Sequence, residues 1–464
     1  MTSLRLRLLP ALSLLLFPTI TFADAPLPPA VPHGTLSERL QSALGLVAFL
    51  FLAFLLGRLR GHRKLPARRT LIWGILLQFI FGAIVVWNRT FLIIINDLVD
   101  ALLGFTREGA DLVFGKLSSI DGPPVFDAAN HLLGHAQEVG YFAFFVLPTI
   151  IFFACLTAVL YHIGIMQYIV QGLAWLMSKT MKTSGAETLS SAANIFVGQT
   201  EAPLMVKPFL AAATNSELMA IMVGGFANIA SGVLGLYTIW LRPYVPDAAG
   251  HLAAACFITA PGSLLVAKLL HPETQTPETA GGVEFKIERI DANLVDAATR
   301  GTTEGLGLAL NVAAMLITFT ALVALTNAVL LFATAHMGLP PITLQSMLGY
   351  LFRPLAWLTG ITWAESKNAG SLLGIKTVLN ELIAYSQMKD FLAADPNYLS
   401  PRARLLTLYA LCGFANFASV GIQVGGISTM APSRRSDLSR IGLLAMIGGA
   451  ISSLIAASVI GILI

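Results

Sequence analysis

"GFANIAS" at residues 225–231 and "GFANFAS" at 413–419 agree at six of seven positions, 188 residues apart. So close a match at such a distance points to an internal duplication. The segment before each copy is moderately apolar with a carboxylate near its middle: "ETLSSAANIFVGQTEAPLMVKPFL" at 187–210 and "ESKNAGSLLGIKTVLNELIAYSQM" at 365–388. Glu201 and Glu381 thus hold comparable places, 180 residues apart. Both segments are too polar and too interrupted for ordinary spans and read as re-entrant hairpins, because irregular backbone survives at membrane depth only where protein or water satisfies it. Gly198 supplies a flexible tip in the first, and Pro203 suits the first turn of the returning helix. The GFAN copies lie in glycine-punctuated helices, with Gly224, Gly225, Gly232 and Gly235 in one and Gly413, Gly421, Gly425 and Gly426 in the other. Those glycines fit either a break whose freed N–H and C=O groups bind a ligand, or close helix packing.

The surroundings are those of a membrane protein. The chain of 464 residues is 56% hydrophobic and 12% charged, with a mean hydropathy of +0.75, against roughly 25% charged residues in soluble domains. A net charge of +4, with the basic residues gathered in short loops, argues against nucleic-acid binding. Apolar runs long enough to cross about 30 Å of hydrocarbon as helices fall near 41–59, 70–88, 140–164, 217–241, 250–270, 304–333, 403–428 and 441–464. "RLRGHRKLPARR", with six Lys or Arg from Arg58 to Arg69, and the group Arg434, Arg435 and Arg440 are placed in the cytoplasm by the positive-inside rule. The leader "MTSLRLRLLPALSLLLFPTITFADA" reads as a secretory signal cleaved near Ala25, an uncleaved signal anchor being the alternative. Counting crossings from an outside start satisfies both loops and puts the mature amino terminus and the carboxyl terminus in the periplasm of a bacterial inner membrane.

The expected fold class is therefore an all-α polytopic membrane protein, with eight transmembrane helices plus two re-entrant helical hairpins in an inverted repeat, and interfacial helices. Residues 26–164 form amino-terminal scaffold helices, with an amphipathic surface helix over 91–120 that carries Asp97, Asp100, Arg107, Glu108 and Asp111. Residues 165–270 form the first repeat, with a hairpin at 183–212 and a broken helix at 217–241. Residues 271–358 supply a cytoplasmic loop, a scaffold helix and an interfacial helix. Residues 359–464 form the second repeat, with a hairpin at 361–392, a broken helix at 403–428 and a last helix at 441–464.

Inverted repeats with polar residues at mid-depth are the signature of secondary transporters, whose substrate site lies at the repeat interface. A charge at that depth costs at least about 2.5 kcal/mol, so Glu201 and Glu381 are retained for a partner or a task. The partner reading pairs them with Lys207 and Lys376 as structural ion pairs. No nucleophile–His pair or metal triad points to an enzyme, and no organic cofactor is expected. Cys155, Cys256 and Cys412 sit in apolar surroundings and read as packing residues. His131 and His135 of "HLLGH" have metal-ligand spacing but lack a third ligand.

"AANIFVGQTEAPLMVKPFL", "GIKTVLNELIAYSQM", "LCGFANFASVGIQVGG" and "APSRRSDLSRIG" closely resemble the concentrative nucleoside transporters, over the chain from about residue 40 to its end. The resemblance implies an ion-coupled nucleoside importer, a homotrimer whose protomers each carry an elevator-like mobile domain in the lipid bilayer. It assigns the nucleobase to Gln199, Thr200, Glu201 and Val233. Ribose falls to Glu381, Asn416 and Ser419, with Phe414 lining the pocket. It implies sodium as the coupling ion, held by the side chains of Asn194 and Asn228 and the backbone carbonyls of Val197 and Ile229, with a proton as the alternative. A small hydroxyl residue is usual in the family where this chain has Asn228. Carriers of another small polar solute, such as a nucleobase, are the second reading.

Overall fold

The computed structural model describes residues 33–62, 64–118, 124–126, 129, 132–135, 142–280 and 291–464. The proposed signal sequence and His131 lie outside the described residues. Among those described the chain is nearly all helical, with one antiparallel two-stranded ribbon, β1 (Pro124–Phe126) and β2 (Leu132–His135).

Helix α1 (Leu36–Leu59) starts at a reciprocal cap, in which the Thr35 N–H donates to Glu38 Oε2 at 2.7 Å and the Glu38 N–H to Thr35 Oγ1 at 3.4 Å. The apolar α2 (Arg68–Trp87) follows, and then α3 (Arg89–Phe114), the expected amphipathic helix. Its charged side is engaged at Asp100, which accepts from Arg242 at 2.7 Å, and at Asn96, which donates to Asp247 at 2.8 Å. Next come α4 (Leu147–Ile163) and α5 (Ile165–Met181), joined at Gly164 and bent by 78°. Gly164 has φ +93°, a left-handed conformation that glycine adopts without strain, and this turns the chain sharply. The crossing expected at 140–164 is therefore shorter than anticipated, and α5 was not foreseen.

The first repeat begins with α6 (Gly185–Ala193), passes a non-helical tip and returns through a 3-10 turn, Ala202–Val206, and a single α-turn, Lys207–Leu210. The chain then enters α7 (Asn215–Ala227), breaks at 228–230, and continues as α8 (Ser231–Leu241) and α9 (Ala248–Leu270). Helix α10 (Leu294–His336) has 43 residues, starting ten residues before the expected 304. Asn293 caps it, accepting from the Asp296 N–H at 3.0 Å, and Arg300 ties its first turns to Asp291 at 2.7 Å and Glu304 at 2.9 Å. These polar contacts carry a helix into sequence that reads as loop. After α11 (Leu344–Leu358) the second repeat supplies α12 (Trp363–Val378), α13 (Glu381–Ala394), α14 (Pro401–Leu411) and α15 (Phe417–Met430), and the chain ends in α16 (Arg435–Leu463).

Among the described residues six stretches are long and apolar enough to cross a membrane, at 36–59, 68–87, 215–241, 248–270, 294–336 and 432–463, with a seventh if the bent α4–α5 pair is one span. The eighth expected span, 403–428, is divided into α14 and α15. Burial separates the long helices by role: 89% of the most apolar stretch of α9 and 83% of that in α16 is inside the protein, against 17% for α10. Helices α9 and α16 are core, while α10 turns an apolar surface outward.

The roots of the two hairpins are built alike. Ser184 and Glu187 form a reciprocal cap on α6, and Thr362 and Glu365 hold the start of α12. Each cap reaches the next broken helix: Ser184 Oγ donates to Glu217 Oε1 at 2.6 Å, and the Ser400 N–H donates to Glu365 Oε1 at 2.5 Å. Only the first root has a buried ion pair, from Lys268 Nζ to Glu187 Oε2 at 2.6 Å, and the same amine donates to Ser216 at 2.8 Å.

The two helix breaks cross at Gly413. Its φ is +133°, and a Cβ there would come within 2.7 Å of the Phe226 carbonyl oxygen and 2.8 Å of that of Ala227. Glycine is needed on both counts, since positive φ costs an L-residue roughly 1–2 kcal/mol before any clash. Gly413→Ala is expected to lose at least about that much stability, read as a lower melting temperature of the purified protein in detergent. Wild-type melting would contradict the close crossing.

Candidate functional site

Glu381 opens α13, where Asn380 caps the helix by accepting from the Ile383 N–H at 2.8 Å. The start of a helix favours negative charge, which offsets part of the cost of burying this carboxyl group. Two neutral donors hold it: Tyr237 OH from α8 at 3.1 Å and Asn416 Nδ2 at 3.3 Å. Asn416 in turn caps α15, its Oδ1 accepting from the Ser419 N–H at 2.9 Å. Ser419 Oγ accepts from Gln199 Nε2 of the first hairpin tip at 3.2 Å. Gln423 Nε2 closes the chain, donating to Gln199 Oε1 at 3.1 Å and the Met222 carbonyl at 3.3 Å. Both hairpins and both broken helices therefore meet in one buried polar network. An ionised carboxylate offers about four acceptor positions, and the network occupies two of those on Glu381, which leaves room for incoming hydroxyl groups.

Four of the eight residues assigned to substrate, Gln199, Glu381, Asn416 and Ser419, are joined in this way. Val233 is buried on α8, and Phe414 is half-buried in the second break. Thr200 packs its methyl group against Gly426, where a Cβ would come within 2.8 Å of it. Glu201 is exposed and outside the network; its side chain folds over Gly198, where a Cβ would lie 3.2 Å from the carboxyl carbon. Neither lysine pairs with a hairpin glutamate, for Lys376 Nζ donates to the Ala410 carbonyl at 3.0 Å and Ser453 at 3.5 Å, and Lys207 is exposed. Sequence reasoning missed Tyr237 and Gln423. Each was detectable as a polar side chain in an apolar helix, "SGVLGLYTIWL" and "FASVGIQVGGISTM".

The residues assigned to a cation gather where the first tip meets the first break. Asn194 ends α6 and lays its amide on α7, with Nδ2 3.3 Å from where a Cβ of Gly224 would be. Asn228 ends α7, and its amide contacts the Thr259 hydroxyl of α9. The tip and break are also stitched through Ser231, whose N–H and Oγ both donate to the Phe196 carbonyl, at 3.3 and 2.6 Å. The Ile229 carbonyl accepts a long contact from Cys256 Sγ at 3.9 Å. In this orientation the amide nitrogens of Asn194 and Asn228 are buried without a partner, a costly state that calls for an acceptor at each or for the amide to be turned end for end. Neutral amide and carbonyl oxygens suit a hard monovalent cation. Among the described residues there is no group of three or more His, Cys, Asp or Glu that could hold a multivalent one. The residues present thus fit sodium.

Residues 44–117 and 251–461 match the models for the Na+ dependent nucleoside transporter N-terminus and C-terminus, and residues 143–241 match the model termed nucleoside recognition. The chain is 39% identical over 430 residues to the uncharacterized transporter YutK of Bacillus subtilis, covering 92% of this chain and 99% of that protein. It belongs to the concentrative nucleoside transporter family. It is also 38% identical over 441 residues to the mouse sodium/nucleoside cotransporter 1, covering 92% of this chain but 64% of that longer protein. Among solved structures it is similar to CNTnw in an inward-facing substrate-bound state, with a TM-score of 0.80, 38% identity, and coverage of 92% of this chain and 97% of that one. An outward-facing, doubly substituted CNTnw gives a TM-score of 0.82 at 39% identity. As a member of this family the chain is a transporter and not an enzyme.

Tyr237→Phe keeps the ring packed at a tilt against Tyr385, whose centroid is 4.5 Å away, and removes one donor from Glu381. Loss of a hydrogen bond to a charged group is expected to destabilise the protein by about 1.5–3 kcal/mol, measured as earlier unfolding of the detergent-purified variant.

Proposed function

We propose that this chain is a secondary active importer that couples nucleoside entry to sodium. The observation that carries the reading is the buried Glu381 carboxylate, oriented by Tyr237 and Asn416 and linked through Ser419 to Gln199 of the opposite hairpin. A nucleoside is neutral, with two vicinal ribose hydroxyls and a base edge of mixed donors and acceptors. The free acceptor positions of Glu381 suit the hydroxyls, with Asn416 and Ser419 beside them and Phe414 against the sugar. Gln199 can donate and accept at a base edge, with Thr200, Glu201 and Val233 completing that side. A site of this kind rejects analogues lacking the hydroxyls strongly, because its own buried groups go unpaired.

Sodium is favoured by the neutral oxygen set of Asn194, Val197, Asn228 and Ile229, and by the names of the matching models and of the mouse relative. Bound at the tip and break, the ion would supply positive charge that locks hairpin to helix. An inside-negative potential favours its entry by about 2.3 kcal/mol per charge per 100 mV. We place the protein in a bacterial inner membrane, with the mature amino terminus and the carboxyl terminus in the periplasm, on the loop-charge argument. Elevator movement of the linked hairpins and broken helices against α10 is supported by the outward apolar surface of that helix, which also suits a homotrimer.

In proteoliposomes, uptake of labelled uridine should rise with an inward sodium gradient, and Glu381→Gln should lower it by tenfold or more, the effect of about 1.5–3 kcal/mol. Free uracil and 2′,3′-dideoxyuridine should compete poorly. Uptake driven by a proton gradient alone would replace sodium in this reading, and uptake indifferent to every gradient would overturn it.

A further inference from the structure

The two GFAN copies put the same amide to different uses. In the second, Asn416 caps α15 at Ser419 and donates to Glu381. The residue of the first copy that corresponds to Ser419 is Ser231, and its N–H and hydroxyl go instead to the Phe196 carbonyl of the hairpin tip. Asn228 is therefore released from capping, and its amide meets Thr259 on α9.

A threonine hydroxyl carries one proton. Thr259 Oγ1 lies within reach of the Asn228 amide oxygen, of the Cys256 carbonyl at 3.2 Å and of the Ala255 carbonyl at 2.7 Å, and we assign its proton to Ala255, one turn back, the usual back-bond of a helical threonine. What Thr259 has left for Asn228 is a lone pair. With the amide oxygen turned to Thr259, two acceptors face each other and Asn228 Nδ2 is left buried without a partner. A half-turn of the amide removes both faults, since the hydrogen-bond network decides which end of an amide points where. Nδ2 then donates to Thr259 Oγ1, and Oδ1 takes the buried, unpartnered position.

We infer that Thr259 is a positioning residue for the cation site: its hydroxyl anchors the NH2 end of Asn228 and so presents the oxygen end to sodium. This assignment rests on the sodium reading above. It also accounts for how an amide, whose NH2 would repel a cation, can serve where a hydroxyl would need no orientation.

The test titrates sodium against purified protein without nucleoside, reading the sodium-dependent rise in melting temperature, and repeats the titration as the half-saturating sodium concentration for uridine uptake. Thr259→Val removes the anchor at nearly constant shape and is expected to raise both half-saturating concentrations about tenfold. Maximal uptake at saturating sodium should be kept. Thr259→Ser restores the hydroxyl and is expected to stay within about threefold of wild type. If the valine variant fails to fold, as judged by its melting in sodium-free buffer, Thr259→Ala takes its place with the same expectation. Unchanged sodium affinity in the Val or Ala variant, beside a sodium-responsive wild type, would overturn the positioning role and leave the sodium reading standing. A wild type whose melting and uptake both ignore sodium would overturn the two together.

Discussion

Backbone groups freed by interrupting a helix cannot be left bare in hydrocarbon, and this chain interrupts helices at several places. Each opening is closed by its own capping residue or by another opening. The Phe196 carbonyl of the first tip is taken by Ser231 at the start of α8, the start of α15 is closed by Asn416, and the start of α13 by Asn380. At Gly413 the two breaks touch, backbone against backbone. The interruptions hold one another in place, and the polar network around Glu381 is assembled as a result.

Much of this was legible in the sequence, because duplication leaves matched motifs and because glycines and carboxylates stand out in apolar runs. The GFAN pair marks two places where helices are interrupted, and each carboxylate segment holds a short helix that ends at a non-helical point. What escaped depended on contacts between distant segments. The bend at Gly164 looks like any glycine in an apolar run until α5 is seen to follow it. The early start of α10 comes from Asp291, Asn293, Arg300 and Glu304, which in sequence simply look polar. Tyr237 and Gln423 stood out as polar residues in apolar helices, yet nothing in their neighbourhoods says that they face Glu381 and Gln199, residues 144 and 224 positions away. Glu201 holds the place in the repeat that matches Glu381, yet it is exposed and outside the network while Glu381 is buried within it.

The duplication has not produced equal halves. The same Gly-Phe-Ala-Asn sequence ends in a capping, carboxylate-binding asparagine in one half and in an asparagine turned to a neighbouring threonine in the other. The difference originates in one carbonyl, that of Phe196, which takes over the capping of α8 and frees the asparagine.

The roots of the hairpins differ too, and this bears on how they can move. In the first half, Lys268 bridges a carboxylate of the hairpin and a hydroxyl of the broken helix, so that three segments share a single buried charge. The second root has no buried ion pair; it is fastened by the Ser400 amide on Glu365 and by Arg353, whose guanidinium donates to the Trp363 carbonyl at 2.7 Å and to Ser366 at 3.3 Å. Parting the first hairpin from its base strands a buried ammonium group, whereas the contacts at the second root are hydrogen bonds partly open to solvent, which water can replace. The two arms are thus moored by different means, a buried charge in one and solvent-replaceable contacts in the arm that carries Glu381.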